Sequence, residues 1–198
     1  MLYYAGDEIF EYLEKTMEHT LSFICSAIAL ALYSASYFFK TKKMYLTLQI
    51  IGNVFLSLSY LLISAFFTMV TVIIGIGRGL VCYYYEKRNR EVPLYMIIAL
   101  CAATVTSYVL INFVVLKTAT SWDILYMLAS CGYAITFTIR NLKLMRYAVL
   151  IPHSLAIAYN LIIRAPITSA LSYAIEMVIT IIAILKFNTR KANKEKDG

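Results

Sequence analysis

The sequence predicts an all-α, polytopic membrane protein with seven transmembrane helices. Three observations carry that expectation. The 198 residues are 61% hydrophobic and only 15% charged, whereas a soluble domain has about 25% charged residues. The apolar residues fall in runs of about twenty, the length that crosses a bilayer as a helix. The basic residues sit in short clusters between those runs, not in one stripe. That pattern belongs to membrane loops, so the net charge of +7 is read as orienting charge. The expected partner is the lipid bilayer, not nucleic acid.

Taken in order, the predicted spans are 20–39, 44–63, 66–85, 93–116, 122–139, 144–163 and 168–187. The stretch before them, MLYYAGDEIFEYLEKTMEH, is acidic, where a signal peptide opens with positive charge. Ile9, Leu13 and Met17 recur there at helical spacing. A short interfacial helix and a flexible tail are both open readings. Pro93 suits the first turn of the fourth span, and Pro166 suits the turn before the seventh. Cys25, Cys82, Cys101 and Cys131 all fall inside spans and show no CxxC spacing. They are read as small buried side chains, with no metal or cofactor implied.

Charge sets the orientation. Lys40, Lys42 and Lys43 follow the first span, Lys87, Arg88 and Arg90 the third, and Arg140, Lys143 and Arg146 the fifth. Lys186, Arg190, Lys191, Lys194 and Lys196 close the chain, whereas the opposite loops hold only Lys15, Lys117 and Arg164. Basic loops face the cytoplasm, so the N-terminus is expected outside and the C-terminus, with its basic tail 188–198, inside. Tyr83–Tyr85, Tyr37–Phe39 and Trp122 suit the aromatic belts at the two interfaces.

Laid on itself with a shift of 100, the chain pairs Lys40 with Arg140, Lys43 with Lys143, Thr68 with Thr168 and Arg90 with Arg190. Span and loop lengths match without a gap. This predicts a single membrane domain of two parallel three-helix units, 20–85 and 122–187, joined by linker helix 93–116. A linker span is a geometric necessity. Three spans end on the side opposite their start, and a fourth must bring the chain back before a parallel copy begins.

The shift also places Gly52 on Pro152 and Asn53 on His153, near mid-span. Proline removes a backbone donor and kinks a helix. Helices interrupted at matching places in two repeats mark transporter sites. Gly52 and Pro152 are therefore candidate hinges, and Asn53 and His153 candidate ligand residues. The alternative is that Asn53 and His153 only bond across helices. Asn160 lies seven residues beyond His153, on the same predicted face. Gln49 and Asn112 read as interhelical bonds.

Arg78 sits in VIIGIGRGLVCYYY, about 18 Å from the outer end of its span and about 12 Å from the inner one. Snorkelling to the inner interface works against the backward tilt of helix side chains. An interior-facing arginine is favoured, sharing a face with Thr71 and Gly75. Glu176, on a face with Ser172 and Thr180, is the candidate counter-charge. Strict repeat symmetry opposes that pairing, because two residues rotate a helix position by about 200°. GIGRG is not read as a phosphate loop, since such loops follow a strand. Its glycines are expected to let helices approach closely.

The basic turns KTKKMYLTLQ and IRNLKLMR, the arginine of GIGRGLVCYYY, and AIAYNLII before a last span together resemble the bacterial YgjV-like inner-membrane family. Arg78, Arg140, Tyr159 and Asn160 match family-type positions, whereas Thr71 and Glu176 depart from the pattern. The resemblance implies an inner-membrane location. It also implies a topology similar to the SWEET and PQ-loop transporters and to PnuC-type vitamin-precursor carriers.

Two functions stand. The first is a passive carrier of a small polar solute, with Asn53, Arg78 and His153 lining a central site, Asn160 near the outer gate and Glu176 as the opposing charge. The second is a non-transporting sensor or assembly partner whose polar residues only lock helices. An enzyme is not expected, because no carboxylate pair, metal cluster or nucleophile–base pattern is visible.

Overall fold

The computed structural model describes residues 2–63, 66–115, 117, 120–163 and 167–189. Arg164, Pro166 and the basic tail from Arg190 onward lie outside the described residues. Among those described, the chain is helical with no strand. The elements are α1 (Leu2–Ser36), α2 (Lys42–Leu62), α3 (Phe66–Lys87), α4 (Leu94–Val109), α5 (Asp123–Thr138), α6 (Leu142–Ala148), α7 (Leu150–Ile162) and α8 (Ile167–Ile184). Two π-helical stretches, Leu110–Val115 and Leu185–Thr189, extend α4 and α8.

Among the described residues, four stretches are long and apolar enough to cross a membrane: Thr16–Ser36, Lys42–Leu62, Leu94–Val115 and Ala170–Phe187. Their surfaces agree, for Leu94, Ile98, Val114 and Leu171 are each more than half exposed. An apolar exterior of this extent needs lipid around it.

Three details correct the sequence reading. The N-terminal stretch is helical and not a tail, and it runs unbroken into the first span as part of α1 from Leu2. Pro93 is the N-cap of α4, not its first turn, with extended backbone at φ −67°, ψ 149°. The span expected at 144–163 is interrupted at one residue, Val149, between α6 and α7, where the backbone stays right-handed helical (φ −69°, ψ −17°). The cause is Pro152, whose ring displaces the carbonyl four residues earlier, at Ala148. Pro152 is fully buried and packs on Gly132 of α5, where an added Cβ would lie 3.2 Å from the proline.

At the matching position α2 does not break, and its helix runs straight through Gly52. Glycine serves close approach there. A Cβ at Gly52 would meet the Tyr33 ring of α1 at 2.5 Å. Gly79 does the same against Ile50 of α2, at 2.7 Å, whereas Gly77 faces open space. The expected packing role of GIGRG therefore falls on Gly79, and more loosely on Gly75 against Asn53 at 3.4 Å, but not on Gly77.

Within the bundle, α2 packs between α1 and α3, and α7 packs between α5 and α8. α4 lies against α5 and α3, while α1 touches α8 and α3 touches α5. At one end of the bundle α1 is stitched to α2 by serines. Ser22 Oγ donates to the Ser59 carbonyl (3.0 Å), and Ser59 Oγ donates to the Ser22 carbonyl (2.9 Å). The buried core lies at the opposite end, where Tyr37, Tyr45, Leu46, Cys82, Phe137, Met145, Val149 and Ala183 meet.

That end is closed by two basic residues counted in the sequence as loop charges. Arg146 and Lys42 are in fact buried, 3% and 6% exposed. Arg146 Nη2 donates to the carbonyls of Tyr37 (2.9 Å) and Phe39 (2.7 Å), just past the end of α1. Lys42 Nζ donates to the Thr138 carbonyl at the end of α5 (3.4 Å) and lies 3.6 Å from Glu86 Oε2. Each group of helices supplies the cation that satisfies orphan carbonyls of the other.

Arg146→Ala leaves the buried Tyr37 carbonyl and the half-buried Phe39 carbonyl without this partner and is expected to cost about 2–3 kcal/mol. Arg140→Ala, at an exposed position, should stay within about 0.5 kcal/mol. Thermal unfolding in detergent compares the two. By the same measurement, Gly52→Ala should destabilise by about 1–3 kcal/mol through overpacking on Tyr33. Gly77→Ala should stabilise by up to about 1 kcal/mol.

Candidate functional site

The helices enclose a cavity of about 750 Å³, within the roughly 300–1,000 Å³ of small-molecule sites. α1 contributes Tyr33 and Tyr37, α2 Gln49 and Asn53, and α3 Thr71, Gly75 and Arg78. α5 contributes Tyr126, Ser130 and Tyr133, α7 Asn160, and α8 Ser172, Tyr173 and Glu176. The predicted Thr71–Gly75–Arg78 and Ser172–Glu176 faces therefore share one space. Thr180, one turn further, is fully buried and donates to the Glu176 carbonyl.

Arg78 points inward. Its guanidinium lies over the Phe137 ring at 4.9 Å and near Tyr133 at 5.9 Å. Nη1 reaches the Ser130 carbonyl at 3.4 Å, and Nε is buried without a partner. The expected Arg78–Glu176 ion pair is not made. Among the described residues, the ion pair within 4.0 Å is Lys42–Glu86, and Glu176 instead has the His153 imidazole 3.9 Å away. The offset in helix rotation that argued against the pair prevails, and the two charges face one cavity without touching.

Asn53 and His153 are placed differently. Asn53 is on the wall; its Oδ1 accepts from Tyr33 Oη at 3.0 Å and its Nδ2 donates to the Gln49 carbonyl at 2.9 Å. Gln49 in turn donates to Ser36 Oγ of α1 at 3.0 Å. His153 is wholly buried behind the wall. Its Nε2 is 3.1 Å from Tyr37 Oη and 3.9 Å from Glu176 Oε2, and its Nδ1 bonds Tyr133 Oη. Asn160 reaches the cavity, though its Nδ2 bonds the Ala156 carbonyl of its own helix at 2.7 Å. Asn112, expected to bond across helices, instead donates to the Tyr108 carbonyl four residues back. A side chain competing for that carbonyl sits where the backbone passes into the π-helical stretch.

Sequence reading missed two features. One is the set of tyrosines on the wall, taken only as interface residues or not at all. Tyr33–Asn53 and Tyr133–His153 are both bonded pairs twenty residues apart, so a tyrosine recurring at 33 and 133 was the available signal. The other is Asp123 at the start of α5. Its Oδ1 accepts from Tyr108 and Tyr159, each at 2.9 Å, and its Oδ2 accepts from the Thr120 amide at 2.7 Å. This buried carboxylate ties α4, α5 and α7 together beside the cavity.

Apolar helices around a polar interior define a multi-pass membrane protein. The chain belongs to the Imp-YgjV family of bacterial inner membrane proteins, whose model matches residues 20–191. No curated protein and no solved structure matches it.

Tyr133→Phe strands His153 Nδ1 in the interior and is expected to cost about 1–2 kcal/mol. Thermal unfolding measures it, and an unchanged melting temperature would show that this bond holds nothing.

Proposed function

We propose that the protein is a carrier of a small polar solute, and that the cavity is its binding site. The observation that carries this reading is an arginine and a glutamate facing one cavity inside a lipid-bound helical bundle without neutralising each other. A charge at such depth costs several kcal/mol, and a purely structural pair would be expected to close. Arg78, Asn53, Asn160 and Glu176 are the ligand residues of this proposal. His153 acts behind them, holding Tyr37 and Tyr133 in place.

The proposal includes seven crossings in a three, one, three arrangement. α1–α3 form one unit, α5–α8 the other, and α4 the linker. The N-terminus lies outside and the C-terminus in the cytoplasm. A twofold axis along the membrane normal would exchange α1 with α5 and α3 with α8. The contacts α1–α8 and α3–α5 then become one contact seen twice. So do the Tyr33–Asn53 and Tyr133–His153 bonds. The break above Pro152 is the proposed hinge. Gly52, its positional counterpart, bears on Tyr33 and lets α2 shift against α1.

A solute at about 100 times its dissociation constant should stabilise the purified protein by about 2.7 kcal/mol. Thermal unfolding against sugars, nucleosides, vitamins and organic and amino acids tests this. The stabilisation should vanish in a folded Arg78→Ala. If no solute stabilises the wild type and Arg78→Ala melts early, the arginine is a helix lock and the carrier reading fails. Cysteines introduced at positions 40 and 140 should react only with reagent that reaches the cytoplasm, and labelling from outside would overturn the orientation.

A further inference from the structure

We infer that the solute is a zwitterion, a small molecule with one carboxylate and one ammonium group, as in a free amino acid. This rests on the carrier reading and names its substrate class. The argument is charge balance in a place where imbalance is expensive. The cavity presents one guanidinium and one carboxyl group, Arg78 on α3 and Glu176 on α8, more than 4.0 Å apart. Neither is well served by the protein. Arg78 has five N–H donors, of which one makes a long bond to the Ser130 carbonyl and the buried Nε makes none. The basic group nearest Glu176 among the described residues is the His153 imidazole, whose Nε2 lies 3.9 Å away, beyond hydrogen-bond reach, and is bonded to Tyr37 Oη.

A simple anion would satisfy Arg78 and leave the buried Glu176 carboxyl without a partner. A simple cation would do the reverse. A neutral polyol would leave both charges without a counter-ion. Only a molecule carrying both charges supplies each group with its opposite. The ligand carboxylate takes the guanidinium fork, which suits bidentate binding. The ligand ammonium takes Glu176 and the faces of nearby tyrosines. Tyr33, Tyr133 and Tyr173 offer ring surface to its apolar part and hydroxyls to any polar tip. The volume admits an amino acid with room for water.

The test uses the purified full chain in detergent at fixed pH, with binding read by thermal shift and isothermal titration. The probes are the free α-amino acids, β-alanine and 4-aminobutyrate, each beside its N-acetyl and its amide derivative. At least one free zwitterion should bind, with both derivatives at least about tenfold weaker, a loss of about 1.4 kcal/mol. Arg78→Gln should erase the preference for acid over amide, and Glu176→Gln the preference for amine over N-acetyl. Should a variant fail to fold, the derivative series on the wild type decides alone. Derivatives binding as tightly as their parents would overturn the inference. So would a sugar, nucleoside or organic acid that binds best and ignores Glu176→Gln. In both cases the carrier reading survives. If none of these solutes binds, both readings fall together.

Discussion

Lipid offers a helix end no hydrogen bond, and this bundle answers that constraint with two cations carried across it. The carbonyls left open beyond α1 are taken by Arg146, and the one at the end of α5 by Lys42. Both side chains are buried, so neither acts as a hydrated loop charge. The rest of the arrangement depends on this. With the helix ends fixed to each other, Tyr37, Tyr45, Phe137 and Met145 can pack into one core at that end. The space above is then free to hold a cavity. Arg146 also lies over the Phe187 ring at 5.1 Å, which ties the end of α8 into the same clasp.

A second constraint explains the interior. Every polar group there needs a partner within the protein. Most have found one by short-range means. Asn53, Asn112 and Asn160 each donate to the carbonyl four residues back. Tyrosine hydroxyls and Asp123 then extend these local bonds between helices. Against that background Arg78 and Glu176 stand out, because they keep unused capacity in a place where unused capacity is costly.

The helical membrane class was legible because lipid imposes one period and one length on the chain. Segment limits from apolar runs fell close to the observed ends of α2, α3, α4 and α5. The break at Val149 was half legible, since Pro152 announced a kink without saying that the equivalent Gly52 would leave its helix intact. Glycine weakens a helix without forcing anything, and the Tyr33 ring pressed on Gly52 decides the outcome there. The faces of α3 and α8 that meet at the cavity followed from four-residue spacing. What spacing could not show was which polar residues reach the wall. His153 and Asn160 share a predicted face, yet only Asn160 lines the cavity, because Tyr37 and Tyr133 close over His153. Arg146 and Lys42 were misread for a related reason. A basic residue near a turn looks the same in sequence whether it meets water or a helix end.

The clasp has a consequence for biosynthesis. Arg146 lies 109 residues after Tyr37, whose carbonyl it serves. At about 5–20 residues per second on the ribosome, some 5–20 s separate the two. For that interval the first helices sit in the bilayer with one end unfinished. Lys42 waits likewise for the Thr138 carbonyl, 96 residues later. The early half of the chain must therefore remain loosely held, by lipid headgroups or by the insertion machinery, until the later half arrives. A chain that stops short of residue 146 lacks the cation that serves the carbonyls beyond α1.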